Sequence, residues 1–385
     1  MKSIVMVTNN YTPYSGGVVS SIISFRDELV RQGYTVHIVT LDFLGAAQAP
    51  EEGVIRIPCP ITFPYKNNIM AVPWLPDRAV ARIIAQIKPD IIHTHHPFLL
   101  GVSGLRAGRR LGIPLVFTHH TYYERYAHYV PLVGRLSSPV ITKLVRAYCM
   151  QVDGIIAPSA SVAHDLSYLA GAVPVRVIPS GLLPVYAPQA VYTKKVSSPC
   201  PVRLLSVSRF TKEKEVDRLI TVYAQLAQRY PGAYTLTLIG YGSELPALRR
   251  YAYQTLGLHH DQVQFIEKPS REIIARWYRQ ADIFLYASTS ETQGLVLVEA
   301  MAGGTPVIAF DGSGQRDIIV PGNNGFLVRS VDEMIAMINA VAGDNQLWQG
   351  LCAGAWHTAQ EYTIAQVTRA LVDFYEAVCV STKGL

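Results

Sequence analysis

The chain has 385 residues, 49% hydrophobic and 16% charged, which is enough apolar material for more than one core and too much for a disordered chain. Its five cysteines, Cys59, Cys149, Cys200, Cys352 and Cys379, stand singly with no Cys-x-x-Cys pair, which argues against a disulfide framework or a thiolate zinc site and fits a reducing cytoplasm. The net charge of +6 is unevenly placed: residues 1–185 hold 16 Lys/Arg against 10 Asp/Glu, residues 186–385 hold 18 of each, and residues 56–146 hold 12 basic against 3 acidic side chains, a patch suited to an anionic surface or polyanion.

The opening MKSIVMVTNNYTP has an apolar run too short for a signal-peptide core and leads into turn residues, and no later stretch approaches the length of a membrane-spanning run. Ile4–Thr8 predicts a strand, a Gly-rich loop follows, and a helix runs from about Val18 to Gln32 before Gly33 stops it and Val36–Thr40 forms the next strand. This is a βαβ unit. Gly16 and Gly17 in TPYSGGVV lie where the strand gives way to the helix, so their N–H groups can meet a phosphate or acceptor oxygen, although a simple tight turn explains the pair as well.

Further strands are predicted at Ile91–His93, Leu115–Thr118, Gly154–Ala157 and Val175–Ile178. His93, His95 and His96 follow one of them, and His119 and His120 follow another. Neither cluster has the i, i+4 helical pairing or the accompanying Cys of a metal site, so no metal is expected; position favours ligand contact, with a satisfied structural histidine as the alternative for each. Two helical runs carry apolar stripes edged by basic residues. Trp74 to Lys88 puts Leu75, Ala79, Ile83 and Ile87 on one stripe beside Arg78 and Arg82, and Leu132 to Tyr148 mixes Leu136, Val140, Leu144 and Tyr148 with Arg135, Lys143 and Arg146. Each stripe is either a core face with solvated charges or a membrane-docking face. The regional charge excess favours docking on an anionic leaflet, because each basic residue near such a surface contributes about 1 kcal/mol.

Leu183 to Pro201 breaks the rhythm with four prolines and the polar run TKKVSS, and is expected to link two domains. Beyond it the alternation restarts with Val202–Val207, Thr235–Ile239, Gln264–Ile266, Ile283–Ala287 and Val307–Phe310, so two doubly wound α/β domains are predicted, with ligands beyond the carboxyl ends of their strands. Arg209 and Lys214 in SRFTKEK directly follow the first of these strands, where a guanidinium fork and an ammonium together neutralise a diphosphate; a solvated loop is the alternative.

The strongest signal is ETQGLVLVEAMA. A loop carries Glu291, Thr292 and Gln293, Gly294 and Leu295 open a helix, and Glu299 sits on that helix eight residues after Glu291. Free N–H groups at the helix start suit phosphate oxygens, and two carboxylates accept hydrogen bonds from sugar hydroxyls at either end of one ligand. Alternatively Glu291 is a helix-end acid and Glu299 a surface residue, but a carboxylate among Leu, Val, Ala and Met needs a partner.

Together, SGG near the start, SRFTKEK, and the E-x7-E of ETQGLVLVEAMAGGTPVIA resemble glycosyltransferase family 4 over nearly the whole chain. The resemblance implies a GT-B fold, two Rossmann-like domains facing a central cleft: residues 1–185 for acceptor and membrane, 200–365 for the nucleotide sugar, and a C-terminal helix near 366–380 packing back on the first. It implies that Arg209 and Lys214 stabilise the departing diphosphate, that Glu299 binds the ribose, that Glu291 contacts the donor hexose and that His120 holds the sugar near its reacting carbon. Donor contacts are expected from Gly16, Gly17, Arg209, Lys214, Glu291, Thr292, Gln293, Gly294, Leu295 and Glu299. Gln293 stands where many members have Phe, and ETQGL, with Thr118-His119-His120-Thr121-Tyr122-Tyr123-Glu124-Arg125-Tyr126, is similar to the branch that glycosylates diacylglycerol. Arg125 replaces an acidic residue common in relatives, and Tyr241 interrupts a usual Gly-Asp-Gly.

The expected activity is retaining transfer of a hexose to diacylglycerol or a related lipid. UDP-glucose is the first-choice donor, ahead of UDP-galactose and GDP-mannose, with no cofactor or metal. The enzyme is expected on the cytoplasmic face of the membrane, peripherally attached, with Trp74, Arg78, Arg82, His96, Tyr122, Tyr123 and Glu124 on the acceptor and membrane side. The alternatives are a soluble family member acting on a sugar, sugar phosphate or polysaccharide, and a catalytically silent adaptor. Nucleic acid is not expected, because the basic region carries no recognised binding motif.

Overall fold

The computed structural model describes residues 1–14, 16–43, 50–65, 68–121, 123, 138–188 and 201–383. They form two units: Met1–Gly181 with Ile364–Leu385, and Leu182–Thr363.

Unit 1 is built on a parallel sheet of β1 (Ser3–Val7), β2 (Thr35–Leu41), β3 (Val54–Ile57), β6 (Ile91–Thr94), β7 (Leu115–Thr118), β8 (Gly154–Ala157) and β9 (Val175–Val177), in the order β3-β2-β1-β6-β7-β8-β9. An antiparallel hairpin, β4 (Ile61–Tyr65) and β5 (Asn68–Val72), lies outside it. The helices are α1 (Gly17–Arg31), α2 (Pro76–Ile87), α3 (Leu100–Leu111), α4 (Ser138–Cys149), α5 (Ala160–Ala170) and the C-terminal α13 (Ile364–Lys383). Central strands such as β6, β7 and β8 are buried along their whole length, because helices cover both faces of a parallel sheet. α13 packs on α1, and its Val367, Leu371, Phe374, Tyr375 and Val378 join Ile4, Met6, Ile22 and Leu29 in one core.

Unit 2 repeats the plan with β10 (Val202–Val207), β11 (Tyr234–Gly240), β12 (Val263–Glu267), β13 (Ile283–Tyr286), β14 (Val307–Phe310) and β15 (Gly325–Val328), in the order β12-β11-β10-β13-β14-β15. Its helices are α6 (Val216–Arg229), α7 (Leu245–Arg250), α8 (Arg271–Gln280), α9 (Leu295–Ala302), α10 (Ser313–Arg316), α11 (Val331–Gly343) and α12 (Asn345–Glu361). Apolar cores lie on both faces, one under α6 and α11, the other under α8, α9 and α12. Fully burying each Val, Leu, Ile or Phe contributes roughly 2 kcal/mol.

In both sheets the strand order reverses once, between β1 and β6 and between β10 and β13. The carboxyl ends of the strands flanking that reversal leave a crevice where such folds bind ligands. The expected connector beginning at Leu183 starts as packed structure: Leu182 N–H donates to Tyr362 O at 2.8 Å, and Tyr186 is buried against Tyr278. Residues 189–200 lie outside the described residues.

Candidate active site

In unit 2 the two loops at the strand reversal are stitched together. After β10 the chain passes Ser208 to Thr211 and makes one helical turn over Lys212–Lys214; after β13 it passes Ala287 to Gly294 before α9. Ser288 Oγ donates to Glu213 O at 3.0 Å, and Lys214 Nζ closes an ion pair on Glu291 Oε1. Tyr286, the last residue of β13, donates its hydroxyl to the same carboxylate oxygen at 2.7 Å. Burial pushes the Glu291 carboxyl up, but the Lys214 ammonium and the donated hydrogen bonds outweigh it and hold the group below its ordinary range. Glu291 is therefore a fixed anion.

Arg209 is different: its side chain is 57% exposed and 3.7 Å from Glu213 Oε1, so its guanidinium lies largely in water. The loop that bears it is pinned by Gly240-Tyr241-Gly242 after β11. Phe210 N–H donates to Tyr241 O at 2.8 Å, and a Cβ on Gly242 would stand 2.2 Å from Phe210 O, so only glycine permits that approach.

Gly294 caps α9 with φ 71, a left-handed turn that glycine adopts without strain, and Leu295 starts the helix. Gln293 is buried and Thr292 partly so. The loop rests on α10: Gln315 Nε2 donates to Ser288 O, and Ser313 Oγ to Glu291 O at 3.4 Å. Glu299, partly buried on α9, accepts a hydrogen bond from Tyr278 Oη at 2.8 Å. Desolvation raises its carboxyl to about 7, against the weaker pull of that hydrogen bond and of Arg271. The two glutamates thus differ: one is ionised and held by Lys214, the other is poised to take or lose a proton near neutrality. Neither is the helix-end acid or plain surface residue of the alternative. Tyr278 and Tyr286 escaped the sequence reading because each looked like an ordinary core aromatic.

In unit 1, α1 begins at Gly17 with Gly16 as its cap. Among the described residues no side chain caps this start, and a Cβ on either glycine would meet none of them within 4 Å. The histidines after β6 and β7 gather in the interior. His95 Nδ1 lies 2.9 Å from His120 Nε2, and His96 Nδ1 accepts from Asn9 N–H at 3.2 Å. His93 is structural, its ring nitrogens each 2.6 Å from a hydroxyl, Thr118 Oγ1 and Tyr375 Oη. Burial lowers His93 to about 3 and His96 and His119 to about 4, so these imidazoles are neutral. Among the described residues no group of three or more His, Cys, Asp or Glu is arranged to hold a metal ion.

On the expected acceptor side, Trp74 and Leu75 are 73% and 50% exposed, and Arg78 and Arg82 are exposed on α2. The stripe of α2 itself faces inward: Val80 and Ile84 are fully buried, and Ala79, Ile83 and Ile87 pack against the core. A cavity of 490 Å³ opens between the starts of α2 and α3, lined by Leu75, Arg78, Leu99, Val102 and Arg106 among others. The second stripe splits: Tyr148 is buried, whereas Val140 and Leu144 are exposed with Lys143 and Arg146. Tyr123 packs edge-on to Phe98 and His119. Tyr122 and Glu124 lie outside the described residues, as do Arg135 and Leu136. No helix among the described residues is long and apolar enough to cross a membrane.

The fold has solved counterparts. A sucrose-phosphate synthase from Thermosynechococcus elongatus superposes with a TM-score of 0.79 over 99% of this chain and all of its own, at 20% identity, which shows the GT-B fold. The model for Glycosyltransferase Family 4 matches residues 15–182, and that for Glycosyl transferases group 1 matches residues 194–347. The chain is 35% identical over 314 residues to the alpha-monoglucosyldiacylglycerol synthase of Streptococcus pneumoniae, covering 79% of this chain and 70% of that protein. A synthase of the same description from Acholeplasma laidlawii is 27% identical, with 84% of each chain covered. A GDP-mannose-dependent alpha-mannosyltransferase of Mycobacterium tuberculosis is 28% identical over 84% of this chain and 83% of its own. Fold and site define a glycosyltransferase of the GT-B class. The chain belongs to glycosyltransferase family 4.

Proposed function

We propose that the protein transfers glucose from UDP-glucose to 1,2-diacylglycerol with retention, forming an α-glucosyl lipid at the cytoplasmic face of a membrane. The observation that carries the donor half is the convergence of Arg209, Lys214 and Glu291 where the strand order reverses between β10 and β13. As the glycosidic C–O bond lengthens, negative charge gathers on the diphosphate and positive charge on the sugar ring. Arg209 closes on the phosphates, Lys214 presents an ammonium already oriented by Glu291, and the first turn of α9 adds N–H groups; none of these has to reorganise as charge develops. Glu291 receives the hexose hydroxyls, Glu299 the ribose hydroxyls, and His120 of unit 1 holds the hexose near its reacting carbon. The acceptor hydroxyl attacks from the face the leaving group departs, delivering its proton to the diphosphate oxygen.

The lipid acceptor rests on likeness to the two synthases, on the excess of basic residues between 56 and 146, on Trp74 and Leu75 exposed just before α2 with Arg78 and Arg82, and on the exposed apolar and basic side chains of α4. Glucose rests on the same likeness. Likeness to a GDP-mannose-dependent enzyme favours mannosyl transfer as a second reading. The test crosses UDP-glucose, UDP-galactose and GDP-mannose with diacylglycerol, its monoglucosyl product and soluble sugar acceptors. UDP-glucose with diacylglycerol should give the highest kcat/KM and an α-anomer by proton NMR. Preference for a soluble acceptor removes the lipid assignment, and absence of transfer or donor hydrolysis favours a silent adaptor.

A further inference from the structure

His95 takes no part in the activity derived so far, yet it is the most constrained histidine beside His120. His93 lies in β6 and His95 directly follows that strand, and their ring centroids lie 4.1 Å apart. His93 is anchored at both nitrogens by hydroxyls from β7 and α13, so it forms a fixed wall for His95. On the other side the His95 ring meets His120 edge to edge, planes 25° apart and centroids 5.2 Å apart, with Nδ1 2.9 Å from His120 Nε2. Its own Nε2 is buried and has no hydrogen-bond partner among the described residues.

That last nitrogen decides where the protons are. Burial, with neighbouring imidazoles as a lesser cause, holds both rings well below the ordinary histidine range, so each carries one N–H. If His120 Nε2–H donated to His95 Nδ1, the His95 proton would sit on Nε2 as a buried donor with nothing to meet. If instead His95 Nδ1–H donates to His120 Nε2, the buried His95 Nε2 keeps only a lone pair, and an unmatched acceptor is better tolerated there than an unmatched N–H.

We propose that His95 is a positioning residue which donates Nδ1–H to His120 Nε2 and so locks His120 as the neutral Nδ1–H tautomer. His120 then offers one ring proton, at Nδ1, and its Nε2 is unavailable as a base or donor. This rests on the reading above only in the step from tautomer to catalysis: a wrongly protonated ring turns a donor toward the hexose into a bare lone pair.

The test uses long-range proton–nitrogen spectra of the full chain labelled with ¹⁵N-histidine, the His120 signals being identified by their loss in His120→Ala. The native protein should show His120 protonated at Nδ1. His95→Leu, which keeps the bulk and removes the donor, should release that pattern and lower kcat tenfold or more with the donor KM within twofold. His95→Asn, whose amide nitrogen lies the same two bonds from Cβ as Nδ1, should keep most of the pattern and recover most of kcat. A His120 ring protonated at Nε2 in the native protein, or unchanged in His95→Leu, overturns the lock, and if His120→Ala is inactive at the same time the functional reading stands without it. Full activity in His120→Ala removes the catalytic role of both histidines, while the native spectrum still decides the tautomer.

Discussion

Lys214 Nζ is ion-paired to Glu291 Oε1, 77 residues further along the chain, and the two side chains are only 11% and 18% exposed. Removing one partner therefore leaves the other as a poorly solvated charge. Lys214→Ala should destabilise unit 2 by roughly 3 kcal/mol and lower kcat by roughly a hundredfold or more. Lys214→Met with Glu291→Gln removes both charges and should recover most of the stability and none of the activity. Denaturant unfolding beside transfer kinetics separates the two effects; a double variant as unstable as Lys214→Ala would show that loss of the pair itself, and not the orphaned Glu291 charge, is what costs stability.

Arg209 gives the complementary case. Its guanidinium is largely in water and 3.7 Å from Glu213, so the folded state gains little from it. Arg209→Ala should leave stability within about 0.5 kcal/mol, yet slow transfer by roughly a hundredfold. Arg209→Lys should restore only part of the rate, because one ammonium replaces a two-pronged contact to phosphate. A rate unchanged in Arg209→Ala would take the leaving group away from this loop.

The alternation of strand and helix was open to sequence reading because central parallel strands such as Ile283–Tyr286 and Val307–Phe310 are covered on both faces and so appear as unbroken apolar runs. β3, β15 and the β4–β5 hairpin were not foreseen: they lie at sheet edges or outside the main sheet, and VIRI, GFLV and ITFPY lack a long apolar run. Helix periodicity found the stripe on α2 but not which way it faces, which Ala79, Ile83 and Ile87 settle by packing against the core beside the buried Val80 and Ile84. The spacing of Glu291 and Glu299 likewise marked two carboxylates without distinguishing them. Their difference comes from Lys214, which the fold brings up to offset burial at Glu291, whereas at Glu299 burial outweighs the hydrogen bond from Tyr278.

Glu299 makes a pH prediction of definite sign. Its carboxyl is raised in the folded protein from 4.5 to about 7. Below pH 4.5 it is protonated whether the chain is folded or not, and contributes nothing. Between 4.5 and 7 the unfolded chain gives up the proton first, so stability falls as pH rises, by up to roughly 3 kcal/mol above pH 7. Glu299→Gln carries no such cost and should gain stability relative to the native chain between pH 5 and pH 8. Donor affinity should move oppositely: only the ionised carboxylate accepts from both ribose hydroxyls, so binding tightens as pH passes about 7 and this rise disappears in the variant. Melts and nucleotide titrations at both pH values measure it; a native chain equally stable at pH 5 and 8 relative to Glu299→Gln would refute the raised carboxyl.

Membrane attachment can be separated from catalysis on α4. Val140 and Leu144 stand 52% and 54% exposed on that helix, while Ile141 and Val145 next to them are buried, so the outer face can be changed without touching the core. Lys143 and Arg146 share the exposed side. Vesicles with anionic lipid should bind the protein at low salt and release it as ionic strength rises and the Debye length falls from about 30 Å to about 8 Å. Lys143→Glu with Arg146→Glu replaces two attractions of about 1 kcal/mol each with repulsions, and should weaken binding by well over tenfold. Val140→Ser with Leu144→Ser should also weaken it, through lost insertion instead of lost charge, and that loss should be insensitive to salt. Both variants should keep donor affinity in solution, since unit 2 is untouched, and should lose transfer only to acceptor presented in vesicles. Undiminished flotation in both variants would move the docking surface off α4.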